Sequence, residues 1–489
     1  MKDTATQPAP ASQLLPKIPL RSKENMSEVI ENSLELETLT ADVVALAVKG
    51  GASDAEAVVR EGDEFSVNVR MGEVETLKES GSRGLGLRVF LGTRSASAST
   101  SDLTPDGIRE LVAGALALAK VTEEDPFTAL PETADFGSCI PNTGDLHLYY
   151  DDVYSLSGPE RIEWAKRAEA AALGADPRIA NSDGGTFDAA TGRKVMANSR
   201  GFVGGYRTSY AGVSAAPLAK DANGAMQRDA WWSGARRLAD IESPESVGKE
   251  AARRTLRRLG ARRVPTQRIP IVFAPEVARS LVGAVFEAAS GDAIWRSASF
   301  LAGRLGEQIA APSLTIVDDN FMLLPTGAGG FGSSPFDGEG LPSLRTVVVE
   351  AGVLRTYLLN TYCARKLGMR STHNASRGLA GTPGIGCGNL YLEPGTLSHD
   401  QIVAEVQAGL YVTSLMGFGV NTVTGDYSRG ATGLWIENGQ LTHAVEEVTI
   451  AGNLAEMLKN VTAIGNDLVF RGSVASPTLR IDGMTIAGA

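Results

Sequence analysis

Hydrophobic and polar positions first recur regularly near residue 39, and their pattern predicts helices packed on a sheet. Thr104–Lys120 and Gly158–Leu173 carry apolar side chains at the three- and four-residue spacing of amphipathic helices. Thr104 followed by Pro105 is typical of a helix N-terminus. Before the first of these helices, four short runs of alternating apolar and polar residues predict antiparallel strands. The runs are Ala55–Arg60, Glu64–Arg70, Glu73–Lys78 and Gly84–Leu91. The first part of the chain is therefore expected to be an α+β domain.

The middle of the chain predicts further strands and ends in a group of arginines. Residues 181–235 alternate small, polar and aromatic side chains, which is typical of hairpins in a central sheet. A helix near Ser243–Leu259 leads into the arginine cluster Arg253, Arg254, Arg257, Arg258, Arg262, Arg263 and Arg268. Such a cluster either contacts a phosphate or a substrate carboxylate, or forms a solvated helix face. The acidic balance of the whole chain favours the solvated face.

The last part of the chain predicts a β-rich domain that contains one prominent helix. Ile269–Phe273 reads as a short buried strand, and a helix follows from Pro275 to about Ala289. Further strands are predicted at Ser313–Asp318, Thr346–Glu350, Val353–Leu358 and Ser476–Ile481. A hairpin is predicted to turn at Asn438-Gly439, a strong signal for a two-residue turn.

These patterns divide the chain into four predicted segments. Residues 1–30 are rich in Pro, Ala and Ser and are expected to form a disordered tail. Residues 31–180 are expected to form the N-terminal α+β domain, and residues 181–265 a central region of sheet and helix. Residues 266–489 are expected to form the β-rich C-terminal domain.

Composition excludes several classes of function. A net charge of −11 and a pI near 5.1 argue against direct nucleic-acid binding. The 3 cysteines are widely separated, which indicates neither a disulfide framework nor a CxxC metal site. The sequence contains neither an apolar run of the ~18 residues that a membrane span needs nor a signal peptide. We therefore expect a cytoplasmic protein without a membrane partner.

The most specific sequence motifs lie around the predicted helix at residues 275–289 and near the end of the chain. Val285-Phe286-Glu287 is followed by Gly291-Asp292, and the pattern continues through Arg296–Gly303 and Thr315–Asp319. A second block runs from Gly425-Asp426-Tyr427-Ser428-Arg429-Gly430 to Asn453. Both blocks resemble the TldD/PmbA family, whose metal-bearing members carry an HExxxH helix at the first of them.

The resemblance implies that this chain lacks the family's metal ligands. Phe286 stands at the position of the first histidine, and a phenyl ring offers no lone pair to zinc. The second histidine falls in an apparent deletion before Gly291. No cysteine follows Cys387, whereas catalytic members have a cysteine ligand near the last strand. Glu287 keeps the identity of the family's general base, but without a metal-bound water it is a degenerate position.

The resemblance therefore points to the PmbA branch, which is TldE-like. It implies a cytosolic subunit without a metal or other cofactor of its own, acting on small or unfolded peptides together with a zinc-bearing TldD-like partner. The partners implied are this heterodimer, or a homodimer when the partner is missing. Two alternatives stay open: a self-sufficient peptidase with a divergent site built on His373, Asp318 or Glu287, and a non-catalytic binding protein that modulates DNA gyrase effects.

Two further segments are candidates for contact with peptide or partner. In the run from Ser371 to Arg377, the family pattern resembles a substrate-facing loop. There, Asn374 is expected to hold a peptide backbone and Arg377 a carboxylate. The glycine-rich segment 326–341 is expected to be an irregular loop whose backbone approaches another surface closely, and to contribute to a subunit interface.

Overall fold

The structure, a computed structural model, describes residues 26–136 and 143–488. Most of the predicted tail, residues 1–25, lies outside the described residues. The first helix begins at Met26, so the last residues of the segment predicted to be disordered are helical. Cys139 also lies outside the described residues.

The first half of the chain forms one antiparallel sheet with helices on it. Its helices are α1 (Met26–Lys49), α2 (Pro105–Ala119), α3 (Gly158–Leu173) and α4 (Pro244–Leu256). Its strands are β1 (Asp54–Arg70), β2 (Glu73–Leu91), β3 (Arg94–Thr100), β4 (Ile179–Asn198), β5 (Val203–Lys220), β6 (Met226–Arg228) and β7 (Trp231–Ala235). The strand order is β3-β2-β1-β4-β5-β6, with β7 also paired to β5. The predicted segments 31–180 and 181–265 thus contribute strands to a single sheet.

The four short strands predicted between residues 55 and 91 are in fact two long ones. Pairing of β1 with β4 continues without a break through Gly62, which faces Gly192. A Cβ at Gly62 would lie 2.6 Å from the carbonyl oxygen of Thr191. Glycine here permits close approach of two strands, so it does not end the strand as the sequence suggested.

Alternation along β1 decides what each side of the sheet contacts. Odd-numbered residues such as Val59 and Phe65 pack under the helices, in clusters that include side chains of α1, α2 and α3. Even-numbered residues point to the opposite face because side chains alternate along a strand. Glu56 and Arg60 lie on that face, and both contact Arg377 of the C-terminal half. The sheet therefore presents charged side chains to the C-terminal domain.

The second half is rich in short strands, as predicted. Its strands are β8 (Gln267–Phe273), β9 (Ile316–Asp319), β10 (Arg345–Glu350), β11 (Val353–Leu354), β12 (Ala375–Ser376), β13 (Gly384–Ile385), β14 (Asn389–Leu392), β15 (Ala408–Met416), β16 (Asp426–Glu437), β17 (Gln440–Asn453), β18 (Val461–Ile464), β19 (Val474–Ala475) and β20 (Leu479–Ala487). Its helices are α5 (Pro275–Ala289), α6 (Gly291–Trp295), α7 (Thr361–Leu367), α8 (His399–Ala404) and α9 (Leu454–Lys459).

The larger of its sheets closes on itself. The order is β17-β16-β15-β8-β20-β18, and β17 also pairs with β20, which completes a ring. Closure removes exposed strand edges. The predicted hairpin at Asn438-Gly439 joins β16 to β17. The largest apolar core of the described residues lies around this sheet and includes most of the buried face of α5. None of the described helices combines the length and apolar character needed to cross a membrane.

Gly86 on β2 tests how tightly the sheet meets the C-terminal half. A Cβ at this position would lie 1.6 Å from the carbonyl oxygen of Leu379. We expect Gly86→Ala to lower the free energy of unfolding by at least about 1–3 kcal/mol, the cost of overpacking. Gly114→Ala on α2 is the control, since no atom lies within 4 Å of its Cβ position. That change should stabilise the helix by about 0.5–1 kcal/mol. Urea unfolding of both variants checks this, and equal stabilities would contradict it.

Candidate functional site

Helix α5 carries the two positions that the sequence singled out for metal chemistry. It begins after Ala274, with Pro275 in its first turn, and buries one stripe of apolar side chains in the main core. Phe286 is half-buried and packs against that core, as expected for an apolar residue. Glu287 is exposed and has no ion pair among the described residues.

The side chains on this helix do not fit a zinc ion. Zinc sites in proteins use three or four ligands from His, Cys, Asp or Glu. At this place, Glu287 alone offers such an atom, because Phe286 has none and its neighbours are small or apolar. Within residues 26–136 and 143–488, no three side chains of these types are grouped closely enough to hold a metal ion. We therefore derive no chemical step through a metal in this chain.

A polar cavity of about 230 Å³ lies between the sheet of the first half and loops of the second. Its floor is a row of side chains set by strand register: Arg60 on β1 pairs with Lys194 on β4, which pairs with Tyr206 on β5. Cross-strand partners lie side by side on one face of a sheet. The register of the paired strands thus brings together three residues that are far apart in sequence.

Glycine loops form the opposite wall of the polar cavity. A Cβ at Gly332 would lie 2.1 Å from the carbonyl oxygen of Gly388, and one at Gly338 would lie 2.9 Å from that of Ala375. The predicted close approach of segment 326–341 to another surface is therefore real, but that surface belongs to the same chain. Residues 336–341 are buried, so this part of the loop is not available for the predicted subunit interface.

Lys194 is a cation of the polar cavity that has no anionic partner among the described residues. Its ammonium nitrogen lies 5.4 Å from the ring centre of Phe336 and 6.0 Å from that of Tyr206. No carboxylate of the described residues lies within ion-pair distance of it. Loss of hydration, reinforced by the charges of Arg60 and Arg377, lowers the pKa of Lys194 to about 8. The amine is therefore charged at neutral pH but held in an unfavourable environment, which an anionic ligand would relieve.

Asn374 lines the polar cavity, but its side-chain amide is already engaged. Its Nδ2 donates to Asp318 at 2.7 Å and to the carbonyl oxygen of Gly386 at 3.0 Å. Its Oδ1 accepts from the Thr372 hydroxyl at 2.7 Å. Burial raises the pKa of Asp318 to about 6, despite the hydrogen bond from Asn374. These contacts fix the loop, while the predicted contact with a peptide backbone remains a prediction.

Arg377 also lines the polar cavity, and its charge is paired inside the protein. Its Nη1 lies 2.6 Å from Oε1 of Glu56, and both side chains are buried. Arg88 approaches the same oxygen at 3.1 Å, from the position directly opposite Glu56 on β2. The carbonyl oxygen of Arg377 accepts from Arg60. Arg377 therefore joins the sheet to the C-terminal domain, and its predicted contact with a substrate carboxylate is untested.

Two buried carboxyls, Asp337 and Glu339, belong to the glycine-loop wall, and Asp337 lines the cavity. Asp337 accepts hydrogen bonds from the backbone N–H groups of Glu339, Leu341 and Ala375, at 2.8, 2.9 and 3.1 Å. Glu339 accepts from both the backbone N–H and the hydroxyl of Thr361. Burial raises the pKa of Glu339, and the neighbouring Asp337 raises it further. The pair holds the loop to α7 and β12.

Arg236 is a buried cation that sequence reasoning missed. Its guanidinium donates to the carbonyl oxygens of Gly329, Gly330 and Phe331, at 2.9, 2.6 and 3.1 Å, and to that of Leu148. Burial lowers its pKa to about 10, so it stays charged. Arg60, Lys194 and Glu56 were missed as well. The charged side chains at even positions of β1 are visible in the sequence. Which residues they contact depends on the register of β1 with strands that are distant in the sequence.

His373 shows no arrangement for catalysis. It adopts a left-handed backbone conformation with φ of 58°, and its Nδ1 lies 2.6 Å from the carbonyl oxygen of Pro342. That oxygen can only accept, so Nδ1 carries the proton. No carboxylate of the described residues orients the ring, unlike the base of a catalytic triad. His373 is thus a hydrogen-bonded residue of a turn at the rim of the polar cavity.

Comparison with known proteins matches almost the whole described chain. Residues 55–119 match the profile described as PmbA/TldA metallopeptidase domain 1, residues 151–259 the central domain, and residues 266–488 the C-terminal domain. The Escherichia coli O157:H7 protein named Metalloprotease PmbA is 39% identical over 445 residues, covering 91% of this chain and 94% of that protein. The chain belongs to the PmbA/TldD metallopeptidase family. This confirms the resemblance inferred from the blocks around Phe286 and Tyr427.

Solved structures share the fold of this chain. A Bacteroides thetaiotaomicron protein described as a candidate modulator of DNA gyrase superposes with a TM-score of 0.85 at 27% identity, over 93% of this chain and 99% of that one. TldE from Thermococcus kodakarensis superposes with a TM-score of 0.80 over 91% and 99% of the two chains. At 20% identity, that second match shows the fold alone.

The pairing of Arg377 with Glu56 predicts a loss of stability when the arginine is truncated. Removing one partner of a buried ion pair leaves the other charge uncompensated, at a cost of about 3–5 kcal/mol. We expect Arg377→Ala to lower the free energy of unfolding by this amount. Arg370→Ala is the control, because Arg370 lies on the same connection but is exposed. It should change stability by no more than about 0.5 kcal/mol. Denaturant unfolding of both variants decides, and an unchanged Arg377→Ala would refute the bracing role.

Proposed function

We propose that this chain is the non-metal subunit of a TldD-type zinc metalloprotease complex that degrades small or unfolded peptides. In this proposal, a TldD-like partner supplies the zinc and the general base. This chain supplies part of the peptide-binding surface, in the cytoplasm, and needs no cofactor of its own. A homodimer is the proposed assembly when the partner is missing.

One observation carries the proposal: within a chain of this family, α5 bears Phe286 and an exposed Glu287 where metal-bearing members have an HExxxH helix. The helix itself is intact and well packed, and in this proposal it keeps the scaffold of the site without the ligands that the family resemblance implies for metal-bearing members. Retention of a fold without its metal ligands is what a supporting subunit requires. The name of the Escherichia coli relative supports a role in proteolysis.

The polar cavity is the proposed place where this subunit meets peptide. Asn374 and Arg377 are proposed to shape its wall, because both side chains are held by internal partners. Lys194 is proposed to contact an anionic group of the peptide, since its ammonium has aromatic neighbours but no carboxylate. Charge-assisted contacts to a carboxylate are stronger than neutral hydrogen bonds. Arg60, beside Lys194 in the floor of the cavity, adds positive charge to the same surface.

The two alternatives find less support in the geometry. A self-sufficient peptidase would need a nucleophile or metal with an oriented base, but His373 has no carboxylate partner and Asp318 is bonded to Asn374. A binding role toward DNA gyrase is favoured by one observation, the description of the Bacteroides thetaiotaomicron protein with the same fold. We keep that role as the second candidate.

Glu287→Gln separates a supporting subunit from a catalytic one. If the partner alone supplies the general base, the variant mixed with wild-type partner should hydrolyse peptide nearly as fast as the wild-type mixture. The equivalent change in the partner should reduce kcat by roughly 10²–10⁴-fold, the usual contribution of general-base catalysis. Steady-state kinetics with an unstructured peptide measure both. Because Glu287 is exposed, its replacement should not disturb the fold.

Circular dichroism and size-exclusion chromatography provide the control for folding and assembly of the mixed complex. A collapse of kcat in the Glu287→Gln mixture, with fold and assembly intact, would show that this chain performs chemistry itself. Peptide hydrolysis by the isolated wild-type chain, at the rate of the mixture, would also contradict the proposed division of labour.

A further inference from the structure

A second cavity, of about 360 Å³, lies on a different part of the molecule from the polar cavity. We call it the arginine–tryptophan cleft. Helix α4, strand β7 and the first turns of α5 form one side, and loops near β15 and β19 form the other. Five arginines line it: Arg253, Arg254, Arg257, Arg279 and Arg471. The sequence cluster that was expected to be a solvated helix face thus contributes three residues to a cleft.

Two of these arginines are committed to the architecture of the cleft. The guanidinium carbons of Arg254 and Arg471 each lie 3.8 Å from the ring centre of Trp231. Arg254 is also paired with Glu250 at 2.9 Å and with Glu276 at 2.6 Å. Arg471 donates to the carbonyl oxygen of Trp232 at 2.6 Å. Their charges are largely used, and they hold the aromatic wall in place.

Two other arginines, Arg279 and Arg257, have few partners for their guanidinium groups. Arg279 donates only from Nε, to the carbonyl oxygen of Glu276 at 3.2 Å, and has no ion pair among the described residues. Arg257 has Asp229 as its nearest carboxylate, at 4.0 Å, and Arg258 shares that carboxylate at 3.9 Å. The buried Nε of Arg257 has no hydrogen-bond partner within residues 26–136 and 143–488. An unsatisfied buried donor is costly unless a ligand completes it.

Neighbouring polar groups in the cleft are also unpaired. The Tyr411 hydroxyl has no hydrogen-bond partner in the part of the chain that the structure describes, and burial raises its pKa, so it remains a donor. The His399 ring packs edge-on against Tyr411 at 4.9 Å, and its buried Nε2 has no partner. Its Nδ1 lies 2.9 Å from Asp400 and donates there, which leaves Nε2 as an acceptor in the neutral ring.

These groups match one end of a peptide. Two guanidinium groups with unused N–H donors and a phenol suit a carboxylate, and an imidazole acceptor suits the last peptide N–H. Leu441 and Val469, both exposed at the rim, suit an apolar terminal side chain. The lining carboxylates Glu276 and Asp467 disfavour a doubly charged phosphate relative to a singly charged carboxylate.

We propose that the arginine–tryptophan cleft binds the C-terminal carboxylate of a peptide that ends in an apolar residue. Arg279 lies seven residues before Phe286 on α5, so both side chains project from the same face of that helix. The cleft would therefore hold a peptide end along the helix that carries the lost metal site. The inference rests on the proposed role in peptide hydrolysis and names the part of the substrate that this subunit recognises.

Binding to the full chain without any partner tests the proposal. The probe is an unstructured pentapeptide ending in leucine with a free carboxylate, and the matched probe is the same peptide as its C-terminal amide. Intrinsic fluorescence of Trp231 and Trp232 and titration calorimetry report binding. We expect the amide to bind at least about tenfold more weakly, the scale of one charge-assisted hydrogen bond. Arg279→Gln and Arg257→Gln should each weaken binding of the free acid by about tenfold and leave the amide unchanged.

Arg258→Gln is the matched control. Arg258 has the same side-chain exposure as Arg257, 17%, and the same carboxylate neighbour, but does not line the cleft. It should bind the free acid like the wild type, and thermal unfolding should show all three variants folded. Equal binding of acid and amide, no binding of either, or equal losses in Arg257→Gln and Arg258→Gln would overturn the proposal. Displacement of the acid by an equal concentration of inorganic phosphate would also overturn it, in favour of a phosphate ligand.

The result is separable from the proposed function. The binding assay contains no partner, so its outcome does not depend on the activity of the mixed complex. A failure to distinguish acid from amide, together with an active mixed complex, would rule out only the cleft as a substrate site. Intact recognition combined with an inactive mixture would remove the proposed partnership and leave the cleft as a peptide-binding site.

Discussion

The fold depends on a buried ionic contact between its two halves. Glu56 on the sheet forms ion pairs with both Arg88 and Arg377, and all three side chains are almost fully buried. Such a cluster is costly to desolvate and stabilises the fold only while every member is present. Its position fixes how the C-terminal loops sit on the sheet, and therefore sets the shape of the polar cavity. The loop that holds Asn374 and His373 is placed by the same contact.

The proposed division of labour depends on the two sides of α5. Its apolar stripe is complete and lies in the largest core, so the helix is needed for folding whether or not it binds metal. Its outward face carries the exposed Glu287, and no group of metal-ligand side chains is found there among the described residues. Positive charge is concentrated in two other places. Among the described residues, Lys194 in the polar cavity and Arg279 in the arginine–tryptophan cleft have no ion pair, and Arg257 in the cleft has only a distant one with Asp229. Both suit the capture of peptide better than its cleavage.

Local patterns in the sequence predicted the elements well where a helix or turn is decided by its own residues. The predicted helix Thr104–Lys120 is α2 with Thr104 as its N-cap, and the Asn438-Gly439 turn joins β16 to β17. The predicted strand lengths in the first sheet were wrong, because Gly62 permits the close approach of two strands and does not end the strand that contains it. That reason lies in the neighbouring strand β4, which a local pattern cannot show.

The candidate site was only partly predictable for the same reason. Asn374 and Arg377 line the polar cavity, while their predicted contacts with substrate remain predictions. Their internal partners, Asp318 and Glu56, are 56 and 321 residues away in the sequence, and no spacing rule links them. Lys194 faces the cavity only because β4 pairs with β1 in one register and not in the next. A shift of one residue would have turned it to the other face.

Zinc content tests the central claim most directly. The purified chain, dialysed after mild chelation and examined by elemental analysis, should hold far less than one zinc per molecule, while the TldD-like partner treated in the same way should hold about one. Phe286 and Glu287 offer too few ligand atoms to retain the ion. A stoichiometric zinc that survives dialysis in this chain would contradict the account of a supporting subunit.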